Sequence, residues 1–186
     1  MRFHSSLQSL AALTFFAAVT CVAARAQTDI GLSVYGAFTK TTDANNVGEV
    51  AVSPSNAAGG MLEVRHFYSR LFGYEGTYSF NRANQVYAAV CTLCIPVSVS
   101  ADAHEITGDW LISDPTGKIR PFALAGAGLL LTVPVSGQSG TQNSTTAVYV
   151  YGAGIDWHVL PHIGLRLQYR GNLHRAPFVV ANANSP

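Results

Sequence analysis

Beyond residue 27 the apolar side chains of this chain recur at every second position, in stretches broken by polar, glycine-rich or proline-containing segments. A period of two places successive side chains on opposite faces of an extended strand, so the chain is expected to be all-β. No stretch has convincing helical periodicity. Hydrophobic residues make up 48% of the chain and charged residues only 11%, where a soluble domain carries about 25% charge. Yet after the first thirty residues no run approaches the roughly 20 consecutive apolar positions of a spanning helix. Apolar in total but not in runs is the pattern of a strand with one face in lipid and the other inside a barrel.

Seven strands are expected, at about 30–39, 61–68, 73–81, 97–112, 119–133, 147–158 and 163–171. The third is the cleanest: Tyr74, Gly76, Tyr78 and Phe80 alternate with Glu75, Thr77, Ser79 and Asn81. The outer half of the fourth, 97–103, has the opposite phase, so it either projects beyond a bilayer or carries a bulge. The fifth is apolar on both faces and its orientation is unreadable. Long segments (41–60, 82–96, 134–145) alternate with short turns, including Asp114-Pro115-Thr116-Gly117. Long connections at one end and short ones at the other describe an antiparallel up-and-down meander, with short turns periplasmic and long loops outside.

A soluble lipocalin-like carrier is also a meander, with reversed polarity. The rings decide against it: Tyr74, Tyr78, Trp110, Tyr149, Tyr151, Trp157 and Tyr169 share faces with aliphatics, as interfacial girdles require. The other faces collect Glu63, Arg65, Glu75, Glu105, Asp109, Asp156, Arg166 and Arg170. An arginine turned to lipid costs about 2–4 kcal/mol near the midplane. Inside, it meets carboxylates, with Arg120 and His158 as further cations, so a paired interior network is the cheaper arrangement. A barrel of eight strands is just wide enough to be filled by side chains. The charges are therefore read as a plug rather than an open pore.

Residues 1–26 read as an export signal: Arg2, the short apolar core Leu10 to Val19, then Ala24-Arg25-Ala26 before cleavage at Gln27. Residues 27–186 are then the barrel domain. Without Arg2 and Arg25 the mature chain has nine Lys and Arg against ten Asp and Glu, and no basic patch points to nucleic acid. Cys91 and Cys94 form a C-x-x-C pair that would meet an oxidising compartment, where a local loop disulfide is the first reading. One such pair is half a zinc site, the scattered histidines lack ligand spacing, and no metal or cofactor is expected.

Two blocks carry a family resemblance: Arg120-Pro121-Phe122-Ala123-Leu124-Ala125-Gly126-Ala127-Gly128, and Tyr151-Gly152-Ala153-Gly154-Ile155-Asp156-Trp157 followed by Pro161-His162-Ile163-Gly164-Leu165-Arg166-Leu167-Gln168-Tyr169-Arg170. The chain resembles the small outer-membrane β-barrels of the OmpA/OmpX type over about residues 29–171. The resemblance implies an eight-stranded barrel in the outer membrane, with outer-membrane lipid, the barrel-assembly machinery and an extracellular ligand as partners. Two departures stand out. Only seven strands are identifiable, with 172–178 reading as the start of a fourth outer loop, and the chain ends on Pro186 rather than on an aromatic residue. The closing C-terminal strand is thus missing from the pattern. A fragment is the first explanation, closure by another chain the second; open edges on the first and seventh strands follow from either. No peptidoglycan-binding domain follows the barrel in this sequence.

The leading functional expectation is a non-enzymatic structural or surface-interaction barrel whose loops meet the exterior. The alternative is a barrel enzyme acting on lipid A or peptides, with His66 and Ser69, or His104 with Glu105 and Ser100, as the pairs to consider. Odd spacing puts His66/Ser69 and His104/Glu105 on opposite strand faces, and His104 with Ser100 recurs by chance.

Overall fold

A computed structural model describes residues 10–21, 28–40, 50–89, 97–114, 117–135, 141–160 and 163–175. The described strands are β1 (Leu10–Cys21), β2 (Thr28–Phe38), β3 (Val50–Pro54), β4 (Ala57–Phe67), β5 (Phe72–Ala89), β6 (Val97–Ser113), β7 (Ile119–Pro134), β8 (Ser144–Leu160) and β9 (Ile163–His174). Every ladder is antiparallel, and the β5–β6 pairing closes a ring in the order β5-β4-β2-β1-β9-β8-β7-β6. All seven strands expected from the alternation are present.

Ring closure has a definite stagger. Following paired residues from Cys21 through Ile30, Val64, Gly76, Gly108, Ala127, Tyr149 and Leu173 returns to β1 at Ala11, ten positions from the start. With a rise of about 3.3 Å per residue and strands about 4.8 Å apart, that shear tilts eight strands by about 40° around a radius of about 8 Å. Such a lumen holds side chains and little else.

The burial strings resolve the faces. On β2, Ile30, Leu32 and Val34 are exposed on the outer wall while Ser33, Tyr35 and Ala37 are buried inside. Exposed rings are spread over the wall: Tyr74, Trp110 and Trp157 near the short turns, Phe38 and Tyr149 toward the long connections, and Tyr78, Phe80 and Tyr151 between them. On β7, Phe122, Leu124 and Leu130 point inward; with Leu111, Val148 and Val150 they line one side of the lumen with aliphatic surface. The sequence could not orient this strand because both faces are apolar.

Three features differ from the expectations. First, two segments read as loops carry strand: β3 and the start of β4 lie within 41–60, and β5 continues to Ala89, within 82–96, where it pairs with the outer half of β6 and with β3. A strand beyond a bilayer needs no lipid face, and Arg82, Asn84 and Gln85 around a single Ala83 leave too little alternation to read. Second, β6 keeps one register throughout, with Val99, Ala101 and Glu105 all on the buried side. Of the two readings left open for the phase change, a bulge is excluded by that unbroken register. Third, the edges of β2 and β9 are both paired, with Leu10–Cys21 between them. β1 runs from the His174 end of β9 to its Ile163 end, the direction a strand following β9 through an outer loop would take. It therefore presents the same backbone groups to both neighbours.

Close strand approach explains several glycines. A Cβ on Gly128 would overlap the Ile106 carbonyl, and one on Gly126 would meet Asp109. Gly128→Val is accordingly expected to destabilise the barrel by about 1–3 kcal/mol through overpacking, measured as a lower urea midpoint for the folded, fast-migrating band on unheated gels.

Candidate functional site

The lumen is where chemistry concentrates. Because β4, β5, β6, β8 and β9 all turn their odd or even set inward in phase, Glu63, Arg65, Glu75, Glu105, Asp109, Asp156, Arg166 and Arg170 all lie inside, none more than 9% exposed. On a single strand these charges are alone or an even number of positions apart; the ring sets them across from partners far away in the chain.

Arg166 is the hub. Its Nε donates to Asp156 Oδ1 at 2.7 Å and its Nη2 to Asp156 Oδ2 at 3.0 Å, a two-pronged grip, while Nη1 donates to Glu75 Oε2 at 2.7 Å. Its guanidinium carbon lies 4.0 Å from the centre of the Phe122 ring, a cation–π contact in a dry setting. Arg65 Nη1 donates to the same Asp156 Oδ2 at 3.0 Å, and its Nε lies 3.8 Å from Glu75 Oε2. Charge-assisted, bidentate geometry of this kind is what allows guanidiniums and carboxylates to be buried at all.

A second cluster adjoins it. Arg170 Nη2 donates to Thr107 Oγ1 at 2.5 Å and Thr77 Oγ1 at 3.0 Å and forms an ion pair with Asp109 Oδ2 at 2.9 Å, while its Nη1 lies 3.8 Å from Glu75 Oε1. Glu75 thus sits between three arginines. Thr77 and Thr107 also hydrogen-bond each other. Toward the outer end, Asn172 Nδ2 donates to Glu105 Oε2 at 2.6 Å and Asn81 Nδ2 to the Tyr35 hydroxyl at 2.9 Å. Glu63, fully buried, has no hydrogen bond at either carboxylate oxygen. Arg120 and His158 are only half-buried, and among the described residues Arg120 Nε and His158 Nδ1 have no hydrogen-bond partner.

The neutral members Thr77, Thr107, Gln168 and Asn172 were not singled out from the sequence, although each has the inward parity of its charged neighbours. Phe122 lay on the strand whose faces could not be told apart. Cys91 and Cys94 lie outside the described residues.

The histidine pairs are dispersed. His66 Nδ1 is 2.8 Å from Thr28 Oγ1, while Ser69 Oγ accepts the Phe72 N–H at 3.0 Å. His104 Nδ1 is 2.8 Å from the Tyr78 hydroxyl and packs against Phe80, whereas Ser100 Oγ donates to Asn84 Oδ1 at 2.6 Å. Neither serine is engaged by its histidine. Among the described residues no three His, Cys, Asp or Glu are grouped to hold a metal ion.

Outside the membrane, β5 and β6 carry an exposed pair, with Arg82 Nε donating to Asp102 Oδ1 at 2.5 Å. The hydrogen bond from Arg82 holds the Asp102 carboxyl below the usual carboxylate range. Solvent screening leaves such a pair little weight in stability.

A family model described as "Outer membrane protein beta-barrel domain" matches residues 9–181. Among solved structures the chain is similar to Ail, the attachment invasion locus protein of Yersinia pestis, in complex with the heparin analogue sucrose octasulfate. The likeness has 14% identity and a TM-score of 0.40, covering 90% of this chain and 99% of that one. No curated protein matches the sequence.

Proposed function

Since the chain belongs to the outer membrane protein β-barrel family and resides in the outer membrane, we propose that it is a non-enzymatic barrel with a structural or surface-interaction role, its lumen sealed by the arginine–carboxylate network. The observation that carries this reading is Arg166, fully buried and gripping Asp156 and Glu75 across the ring. A lumen crossed by side chains at hydrogen-bond distance leaves no continuous water column, and a shear of ten on eight strands leaves no spare radius. The parts free to meet a partner are the connections at the outer end and the β3–β5–β6 extension that stands on the ring.

The test has two arms. Planar-bilayer recordings of the refolded chain should show no stable conductance steps; regular steps at neutral pH would replace the plug with a pore. Cells expressing the protein should gain binding to an extracellular surface or ligand, and lose it when 41–49 and 90–96 are replaced by short Gly-Ser links. Unchanged binding would leave only the structural role. The enzymatic alternative, a barrel acting on lipid A or peptides, has its own assay: mass analysis of lipopolysaccharide after incubation with refolded protein.

Residues 1–26 direct export in this reading and are removed after Ala26. Removal takes β1 away, and a strand edge cannot stand open in hydrocarbon. In the mature protein the place between β2 and β9 is therefore filled by another strand running the same way. Intact-mass measurement of protein extracted from the outer membrane should give a chain beginning at Gln27. A chain retaining Met1 would instead make Leu10–Cys21 the permanent closing strand.

A further inference from the structure

We propose that, in the mature protein, the strand standing between β2 and β9 carries a lysine or arginine into the lumen and pairs it with Glu63; this rests on the removal of residues 1–26 put forward above. Arg65, Arg166 and Arg170 are already committed to Asp156, Glu75 and Asp109 in ion pairs. Glu105 accepts the Asn172 amide at 2.6 Å. Glu63 is left over: 0% exposed, with no hydrogen bond at either carboxylate oxygen. The same three arginines act on it electrostatically, but none donates to it. A buried carboxylate without a hydrogen-bonded partner is costly. The strand that maturation replaces lies next but one to β4 in the ring.

Register fixes the position on that strand. Glu63 is paired with Gly31 on β2, and the next positions round the ring are Thr20 of Leu10–Cys21 and Gly164 of β9. Gly31 and Gly164 both belong to the inward rows of their strands, and directly paired residues share a face of the sheet. A side chain at the position of Thr20 therefore points into the lumen with glycine on either side. With strands about 4.8 Å apart, its Cα is about 10 Å from that of Glu63. An extended lysine or arginine and a glutamate together cover that span, and Gly31 between them puts no side chain in the way. At the other levels of the strand the inward neighbours are larger: Ser33 and Arg166, then Tyr35 and Gln168, then Ala37 and Arg170.

The two walls of the same place ask for hydrogen bonds as well. Ser33 Oγ on β2, and Gln168 Nε2, Arg170 Nε and Nη1 and Asn172 Oδ1 on β9, are buried without a partner. Level with them in Leu10–Cys21 are Ala18, Phe16, Thr14 and Ala12, of which only Thr14 has a polar side-chain atom. An apolar export core is suited to its own task and not to this lumen. The strand that fits is amphipathic and about as long as the 12 residues of β1. It is apolar toward lipid, hydrogen-bonding toward the lumen, and basic at the level of Gly31 and Gly164.

Glu63→Gln should act with opposite sign on two forms of the protein. The full chain refolded into phosphatidylethanolamine–phosphatidylglycerol vesicles keeps Leu10–Cys21, and there the change should raise the urea midpoint, because an unpaired charge is removed. In protein extracted from the outer membrane it should lower the midpoint, because an ion pair is broken. A second variant supplies the cation directly. Thr20→Lys in the full chain should raise the midpoint above the parent's, and adding Glu63→Gln should then lower it. Intact mass of the extracted protein separates the two claims. A chain retaining Met1 overturns the removal of residues 1–26 and the pairing with it. A chain beginning at Gln27 whose Glu63→Gln variant unfolds no earlier than its parent overturns the pairing alone, as does a Thr20→Lys gain that persists without Glu63 or a Thr20→Lys chain that gains nothing.

Discussion

Arg166→Met is expected to lower the unfolding free energy of the barrel by about 3–5 kcal/mol, the cost of removing one partner from a buried ion pair. Methionine is unbranched and apolar but shorter, so the guanidinium's contact with Phe122 is lost as well; the larger loss is electrostatic. Asp156 would retain only Arg65, through a single 3.0 Å hydrogen bond. Glu75 would be left with guanidiniums no nearer than 3.8 Å on Arg65 and Arg170. Adding Glu75→Gln to the same chain should recover part of the loss, because an uncharged amide needs no cation to be buried, while Asp156 stays to pair Arg65 and Asp109 to pair Arg170. The comparison is made by urea titration in phospholipid vesicles, following the shift between folded and unfolded bands on unheated gels. If Arg166→Met unfolds at the same urea concentration as the parent, the lumen is solvated and the sealed network is wrong.

Leu32→Arg is expected to cost about 2–4 kcal/mol, the range for a cation placed on the lipid face near the midplane. Leu32 lies near the middle of β2 and is 67% exposed on the outer wall. In water an exposed leucine on a strand would accept arginine within about 0.5 kcal/mol, so the size of the effect reports the medium. Thr145→Arg is the matched control. Thr145 is exposed at the outer end of β8, where the same change should cost only about 0–1 kcal/mol. Equal effects at the two positions would mean that the wall bearing Leu32 does not face hydrocarbon.

Both results depend on an inside-out arrangement that was legible before any coordinates. The alternation of Tyr74, Tyr78 and Phe80 with Glu75, Thr77 and Ser79 is a local property of one strand, and so is that of Leu165 and Leu167 with Arg166 and Gln168. A face assignment needs only that local period and the cost of charge in lipid. Seven of the nine described strands and the long–short rhythm of the connections were readable for the same reason.

What the tertiary structure decided is everything that depends on one strand's height relative to another. Arg166 and Glu75 are 91 residues apart, as are Arg65 and Asp156, and no sequence period relates them. They meet because a ring of shear ten brings those strand positions level within a narrow lumen. The same global constraint oriented β7, whose two apolar faces carry no local difference, and carried β5 past Asn81, where the solvent on both sides removed any pattern to detect. It also set Leu10–Cys21 between β2 and β9, since backbone hydrogen bonds in hydrocarbon must be closed by whatever strand runs in the required direction. Side-chain alternation is written residue by residue; pairing across a ring is a property of the closed circle.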